Sequence, residues 1–183
     1  MRILGVDPGT LHLGWGLVDS AGNRMRHVAH GVIDLNAKEH LATRLDQMER
    51  ELSAVIREFR PEGGSVETLF FHKDPQAASK LGHARGVVLF TLARAGLPVF
   101  EYAPTKVKQT VTGRGRADKK QVAMMIRTLF ALERPPKSDA ADALALAVTH
   151  LRRAPLDAML QANPALRPKK TSRRSPPARK KSL

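Results

Sequence analysis

The sequence predicts a protein of the α/β class, in which one five-stranded mixed sheet is flanked by helices. Three observations lead to this prediction. The first part of the chain holds three apolar segments joined by turn residues, as in antiparallel strands. The remainder alternates apolar runs with segments whose apolar residues recur at helical spacing, as in parallel crossovers. The 183 residues, 42% of them hydrophobic, are sufficient for one domain with its own core.

The first three strands are predicted at positions 2–6, 12–18 and 24–33. The first is apolar after Arg2, which indicates a buried strand, and the second alternates as its hairpin partner. A turn that includes Gly22 joins the second strand to the third. Strands that follow one another through short turns pair antiparallel, so these three should form one side of the sheet.

A long amphipathic helix follows, because apolar residues recur at steps of three and four from Leu41 to Phe59. Pro61 and the pair Gly63-Gly64 end it. Beyond it the sequence predicts a strand, a helix, a strand and three helices, at 65–71, 74–95, 97–102, 105–110, 117–132 and 138–152. This order is that of a ribonuclease H-like domain, with three antiparallel strands plus parallel crossovers.

Positive charge is the most informative part of the composition. The chain holds 31 Lys and Arg against 17 Asp and Glu, a net charge of +14. Such an excess favours binding to a polyanion, of which nucleic acid is the commonest, and the alternative is a solvated surface with an adhesive tail. The end of the chain is rich in Pro, Lys and Arg, so we expect a folded domain at 1–154 and a disordered basic tail at 155–183.

Several classes of protein are disfavoured by the composition. No apolar run is long enough to predict a membrane span, and the start of the chain lacks the pattern of a signal peptide. The absence of cysteine excludes disulfides and thiolate-bound metals, and it is compatible with the cytoplasm. The sequence contains no pair of histidines at the spacing typical of a zinc site. It also contains no Gly-x-Ser-x-Gly motif, which is typical of acyl-transfer enzymes.

Two carboxylates are associated with predicted strands. Asp7 comes at the end of the first strand, where a buried strand opens into a turn at the edge of the sheet. The alternative is that Asp7, Pro8 and Gly9 simply form a turn. Glu67 lies within an apolar strand, which is unfavourable unless the carboxylate is paired, exposed or coordinated to a metal. The alternative for Glu67 is a position that faces solvent.

Two further carboxylates, Asp139 and Asp142, lie three residues apart at the start of the last predicted helix and so share one helix face. The alternative is that Ser138 or Asp139 caps this helix, whose dipole favours anions in its first turn. Small alanines between and beside the two acids favour a close approach of this helix to the sheet.

The four acids together suggest a chemistry that none of them suggests alone. Carboxylates from two strands and one helix are able to hold two hard divalent cations, Mg²⁺ or Mn²⁺. Two such ions activate a water molecule and stabilise the leaving 3′ oxygen during phosphodiester hydrolysis. We therefore expect a metal-dependent nuclease.

The segments around these acids resemble the RuvC family of crossover junction endodeoxyribonucleases, the Holliday junction resolvases. The resemblance spans about residues 1–153 and rests on four blocks: ILGVDPGTLHLGWGLVD, VETLFFHKDPQAASKLGHARGVV, YAPTKVKQTVTGRGRADKKQVAMMIRTLF and SDAADALALAVTH. The first block is also similar to the start of actin-like ATPases. The second and third blocks together are specific to the junction family.

The resemblance implies that Asp7, Glu67, Asp139 and Asp142 are the catalytic metal ligands. It further implies a homodimer that binds a four-way DNA junction during recombination and DNA repair. Each subunit would nick one of two strands of like polarity and leave ends that can be religated. The resemblance also implies cooperation with the RuvA–RuvB branch-migration complex and a place at the nucleoid of a bacterial cytoplasm.

The resemblance also implies a set of DNA contacts. Phe70 corresponds to an aromatic residue that stacks near the junction point, and ordinary core packing is the alternative. Lys108 and Lys119 correspond to lysines near the scissile phosphate. The same basic surface would be extended by Lys106, Arg114, Arg116 and Lys120.

Two other functions are compatible with part of the sequence. An actin-like ATPase shares the Asp-Pro-Gly-Thr hairpin, but the chain lacks a second phosphate loop and is too short for the duplicated fold. A non-catalytic DNA-binding module would use the carboxylates only as caps and turns.

Overall fold

The structure is a computed structural model that describes residues 1–22, 24–68 and 75–163. The described residues form five strands and five helices. In chain order these are β1 (Arg2–Asp7), β2 (His12–Ala21), β3 (Arg24–Asp34), α1 (Leu41–Phe59), β4 (Gly63–Glu67), α2 (Pro75–Arg94), β5 (Val99–Tyr102), α3 (Pro104–Thr112), α4 (Lys119–Leu129) and α5 (Ser138–Ala162).

The five strands form one mixed sheet in the order β3-β2-β1-β4-β5. The pairs β1–β2 and β2–β3 are antiparallel, whereas β1–β4 and β4–β5 are parallel. The predicted sheet is therefore confirmed. Because β1 lies in the middle and runs parallel to β4, the carboxyl ends of these two strands meet at the same edge.

Helices cover both faces of the sheet. On one face, α1 and α2 pack on Leu4, Val6 and Val66. On the other face, α3, α4 and α5 pack around Ile3 and Val18. Side chains alternate along a strand, so Asp7, two residues after Gly5, lies on the face that α5 covers.

Helix α5 contacts the sheet through glycines and alanines. A Cβ atom at Gly5 would lie 1.8 Å from the carbonyl oxygen of Ala143, and one at Gly14 would lie 2.0 Å from the carbonyl oxygen of Asp139. Ala140, Ala141 and Ala143 on α5 are buried. The close approach expected from these alanines is therefore present, and it brings the start of α5 directly over β1 and β2.

The pair Gly63-Gly64 lies in β4, and the predicted start of this strand at position 65 is wrong by two residues. The reason is packing against α2 and β5. A Cβ atom at Gly64 would lie 2.7 Å from a methyl carbon of Leu92, and one at Gly63 would lie 3.1 Å from the Phe100 ring. These glycines therefore make room for neighbouring side chains within the sheet.

Helix boundaries also differ from the predictions, most of all at the end of α5. Helix α5 continues through Pro155 to Ala162 instead of ending near Arg152, and an ion pair of 2.9 Å between Arg153 and Asp157 spans the proline. Helix α4 begins at Lys119 because Asp118 caps it and exchanges reciprocal hydrogen bonds with Gln121. The predicted domain boundary at 154/155 stays a prediction, since most of the predicted tail, 164–183, lies outside the described residues.

Within the described part of the chain, no helix combines the length and apolar character needed to cross a membrane.

Candidate active site

Asp7 and Glu67 lie at the carboxyl ends of two neighbouring parallel strands. In the register of β1 and β4, Val6 pairs with Val66, so the two acids follow at the same level. The Ser65 hydroxyl donates a hydrogen bond of 2.9 Å to the carbonyl oxygen of Leu146 in α5. The side of β4 that carries Ser65 therefore faces α5, and strand alternation places Glu67 on that side as well.

Asp139 and Asp142 lie in the first turns of α5, on the helix that covers these strand ends. The helix is capped at Lys137 without a side-chain hydrogen bond. The suggestion that Ser138 or Asp139 caps the helix is therefore wrong, because Ser138 is already inside the helix. The helix dipole still favours Asp139, which lies in the first turn.

A pocket of about 170 Å³ brings together three of the four predicted acids and two of the predicted lysines. Its polar lining consists of Asp7, Glu67, Asp142, Lys108 and Lys119. Strands β1 and β4 and helices α3, α4 and α5 each contribute at least one of them. The ammonium group of Lys119 lies 3.2 Å from a carboxylate oxygen of Asp142. Three acids and two lysines that are far apart in the sequence therefore share one small space.

Asp139 does not line this pocket, but its negative charge affects the pKa of Asp7, which does. Burial, which is the largest cause, acts together with the charges of Asp142, Glu67 and Asp139 to raise the pKa of Asp7 to about 7, against the opposing charge of Lys119. Burial likewise raises the pKa of Asp142, which Lys119 partly offsets. Each of these carboxylates makes the ionisation of the others less favourable, because their negative charges repel. A cation bound among them would relieve this repulsion.

The donor set fits a hard divalent cation, because carboxylate oxygens are the ligands that Mg²⁺ and Mn²⁺ prefer. Within 1–22, 24–68 and 75–163, no three Asp, Glu, His or Cys side chains are already gathered closely enough to form a coordination shell. The acids therefore lie on neighbouring elements, and holding an ion between them would require their side chains to approach one another more closely.

The other basic residues predicted to contact DNA do not line the pocket. Lys106 is half-buried on α3, Lys120 is exposed on α4, and Arg114 and Arg116 are exposed between these helices. Gly113, with a φ of 75°, ends α3 and turns the chain toward this basic segment. Phe70 and its neighbour His72 lie outside the described residues, so the predicted stacking role of Phe70 stays a prediction.

The apolar wall of the pocket was not predicted as part of the site. It consists of Pro104, Val107, Val122 and Leu146. Val107 and Val122 were visible in the sequence only as apolar helix positions. Their contribution to the pocket depends on how α3 and α4 pack against α5, which periodicity does not reveal.

Comparison of the sequence with known proteins shows which family has this chain as a member. The family described as crossover junction endodeoxyribonuclease RuvC matches residues 3–150 of this chain. A relative with that description from Sorangium cellulosum is 53% identical over 170 residues, which are 93% of this chain and 95% of the relative. Another from Paramagnetospirillum magneticum is 52% identical over 150 residues, 82% of this chain and 90% of that relative.

Solved structures agree with this assignment. Thermus thermophilus RuvC in complex with a Holliday junction substrate has a TM-score of 0.80 at 38% identity, over 86% of this chain and 96% of that chain. The yeast mitochondrial Holliday junction resolvase Ydc2 shares the fold, with a TM-score of 0.63 at 13% identity over 87% of this chain and 83% of that chain. The predicted ribonuclease H-like fold and the predicted family resemblance are both confirmed, whereas the actin-like ATPase and the non-catalytic module are not supported. This chain belongs to the RuvC family and is a crossover junction endodeoxyribonuclease.

Proposed function

We propose that Asp7, Glu67, Asp139 and Asp142 are the catalytic metal ligands with which this chain nicks four-way DNA junctions. One observation carries the proposal: acids from β1, β4 and α5 line one pocket together with two lysines. Asp139 joins them through its charge, which acts on Asp7 across the start of α5. The likeness to a RuvC bound to a Holliday junction substrate supports the choice of DNA.

The four carboxylates would hold Mg²⁺ or Mn²⁺, two ions in each site. When bound, such ions activate water for attack on the phosphodiester and stabilise the leaving oxygen. The protein contributes carboxylates carried by two strand ends and one helix, and the packing of these elements limits how far the acids can separate. The apolar wall of Val107, Val122 and Leu146 keeps part of the pocket free of competing polar groups.

Lys108 and Lys119 line the same pocket as the acids and carry positive charge toward the phosphate. Burial lowers the pKa of Lys119, but the charges of Asp142, Asp7 and Asp139 outweigh this effect and raise it, so the ammonium form persists. A persistent ammonium group is suited to neutralise charge that develops on the scissile phosphate. Lys106, Arg114, Arg116 and Lys120 extend this positive surface along the DNA, and Phe70 stacks near the junction point.

A four-way junction has two-fold symmetry, and a homodimer of this chain presents two such sites with the same symmetry. Each subunit then nicks one of two strands of like polarity, and the resulting 5′-phosphate and 3′-hydroxyl ends can be religated. We place this activity in recombination and repair at the bacterial nucleoid, in cooperation with the RuvA–RuvB branch-migration complex. The net charge of +14 is consistent with work on chromosomal DNA.

Cleavage should depend strictly on a divalent cation. We expect nicking of a synthetic four-way junction with Mg²⁺ or Mn²⁺, and none with a chelator, because the acids in the pocket need a cation to approach a phosphate. Mapping the nicks on each labelled strand, with plain duplex of the same sequence as control, measures this. Equal cleavage of junction and duplex, or cleavage in excess chelator, would contradict the proposal.

Replacing Lys119 should slow the chemical step more than it weakens binding. For Lys119→Ala we expect a single-turnover rate that is on the order of 10–100-fold lower, because one charge close to the scissile phosphate is lost. The matched control is Lys80→Ala, which removes an exposed lysine from α2. Similar rates for Lys119→Ala and the control would show that Lys119 has no role in the reaction.

A further inference from the structure

A second hollow lies directly beside the active-site pocket, on the other side of Lys119. It has a volume of about 400 Å³ and is lined by Lys119, Lys120, Ala123, Met124, Pro135, Pro136 and Ser138. We call it the α4–α5 groove, because α4 forms one wall and the segment leading into α5 forms the other. Lys119 lines both the groove and the active-site pocket, and it forms an ion pair with Asp142. A ligand in the groove would therefore be separated from Asp142 only by the side chain of Lys119.

The lining of the groove has two parts with different chemistry. Its walls are apolar and consist of two prolines, an alanine and Met124, whose side chain remains 46% exposed. Two lysines are the charged groups of the lining, which contains no acid. Apolar walls with a positive rim suit a flat, largely apolar group that carries a phosphate, and a nucleotide has this composition. The methionine thioether adds a polarizable contact of the kind that packs well against aromatic rings.

Its position favours a nucleotide of the cleaved strand over a segment of another protein. The groove continues the pocket where the scissile phosphate is proposed to lie, and the neighbouring nucleotides of that strand must pass close by. Bases next to a branch point are already partly unpaired, so turning one out of the stack costs less there than within a duplex. The volume also lies within the range of about 300–1,000 Å³ that is usual for small-ligand sites.

We propose that the α4–α5 groove receives a nucleobase of the junction strand, unstacked next to the scissile phosphate, while Lys119 and Lys120 hold its phosphates. The inference rests on the proposed function and extends it. It assigns a base-binding subsite to the walls formed by Ala123, Met124, Pro135 and Pro136.

The test uses two neighbouring methionines on the same helix. Met124 lines the groove, whereas Met125 is similarly exposed, at 41%, and does not line it. Met124→Glu and Met125→Glu are therefore matched in residue type, helix and charge. Ala123→Phe fills the groove without adding a charge. Each is introduced into full-length protein that also carries Asp7→Asn, so that the junction stays uncut, and thermal unfolding confirms that each variant is folded.

The readout is the emission of 2-aminopurine placed in turn at each position that flanks the scissile phosphate. We expect binding to change the emission at one position in the Asp7→Asn protein and in its Met125→Glu variant. The variants Met124→Glu and Ala123→Phe should lose that change by on the order of tenfold, as expected for the loss of one base-stacking contact. Wild-type cleavage of the same junction, measured in parallel, tests the proposed function separately.

Two results would overturn the inference while leaving the proposed function intact. One is an emission change that persists in both groove variants. The other is an equal loss in Met124→Glu and Met125→Glu while Ala123→Phe keeps the signal, which would point to general charge repulsion. Absence of any emission change in every protein, with normal wild-type cleavage, would also show that no base is unstacked into this groove.

Discussion

Asp7→Asn is expected to abolish junction cleavage while junction binding survives. The carboxylate of Asp7 stands at the centre of the acid cluster, where the charges of Asp142, Glu67 and Asp139 all act on it. An amide in its place removes one negative ligand and leaves the pocket shape unchanged. We expect a loss of rate by about a thousandfold or more, because a metal site supplies several kcal/mol of transition-state stabilisation.

The measurement is single-turnover cleavage of a labelled four-way junction, with binding followed by gel shift. Asp118→Asn is the matched control, because Asp118 caps α4 close to the site and asparagine caps equally well. Cleavage by Asp7→Asn at the wild-type rate would show that the catalytic assignment is wrong.

The same substitution should stabilise the metal-free fold above neutral pH. The folded protein binds a proton at Asp7 up to a pKa of about 7, whereas the unfolded chain releases it near 3.8. Between these values the folded state holds more protons, so stability falls as pH rises. At pH 8 in chelator, we expect Asp7→Asn to raise the free energy of unfolding by about 2–4 kcal/mol.

Denaturant unfolding at a series of pH values tests this expectation. The gain from Asp7→Asn should shrink as the pH falls toward 5 and vanish below about pH 3, where the wild-type carboxyl is protonated in both the folded and the unfolded state. A gain that does not depend on pH would mean that the charge of Asp7 is not its cause.

Gly5→Ala should be the most damaging change outside the acids themselves. The added Cβ atom would lie 1.8 Å from the carbonyl oxygen of Ala143 and 2.9 Å from the backbone nitrogen of Ala147. Backbone atoms cannot move aside as a flexible side chain does, so α5 must shift away from β1. We expect a loss of about 3 kcal/mol or more in the free energy of unfolding, as in other overpacked cores.

This shift should also reduce cleavage, because Asp142 is carried by the displaced helix. Gly86→Ala is the control: Gly86 lies within α2, and no atom is within 4 Å of a Cβ built there. We expect it to stabilise the protein by about 0.5–1 kcal/mol. A Gly5→Ala protein with wild-type stability and activity would contradict the contact between α5 and β1 described above.

Most of the fold could be predicted from the sequence because strong local patterns agree with the final packing. Apolar residues at helical spacing between Leu41 and Phe59 give α1 with its observed bounds. The pair Gly63-Gly64 misled the prediction, because glycine is common both in turns and at close contacts within a sheet. Whether these glycines form a turn or a close contact within the sheet depends on Leu92, almost thirty residues later, whose side chain packs against Gly64.

The candidate site was predictable in its members but not in its arrangement. Asp7 could be placed at the end of the first strand and Glu67 within the fourth, but the sequence did not show that β4 ends at Glu67, beside Asp7. The ion pair between Lys119 and Asp142 depends on how α4 packs against α5, which no local pattern specifies. For the same reason, the sequence did not show that Asp139 lies outside the pocket lined by the other three acids.

The contact between Gly5 and Ala143 divides the residues near the pocket into those that can be substituted without moving the backbone and those that cannot. The acids lie beside the place where the backbone of β1 at Gly5 contacts the backbone of α5 at Ala143. Almost no side chain takes part in this contact. We therefore expect substitutions of the acids to alter reactivity without moving α5 away from β1, so that inactive variants can still bind and trap the DNA substrate. Gly5 itself leaves no room for a larger residue, because an added Cβ atom would collide with the backbone of Ala143 and push the helix that carries Asp142 away from Asp7.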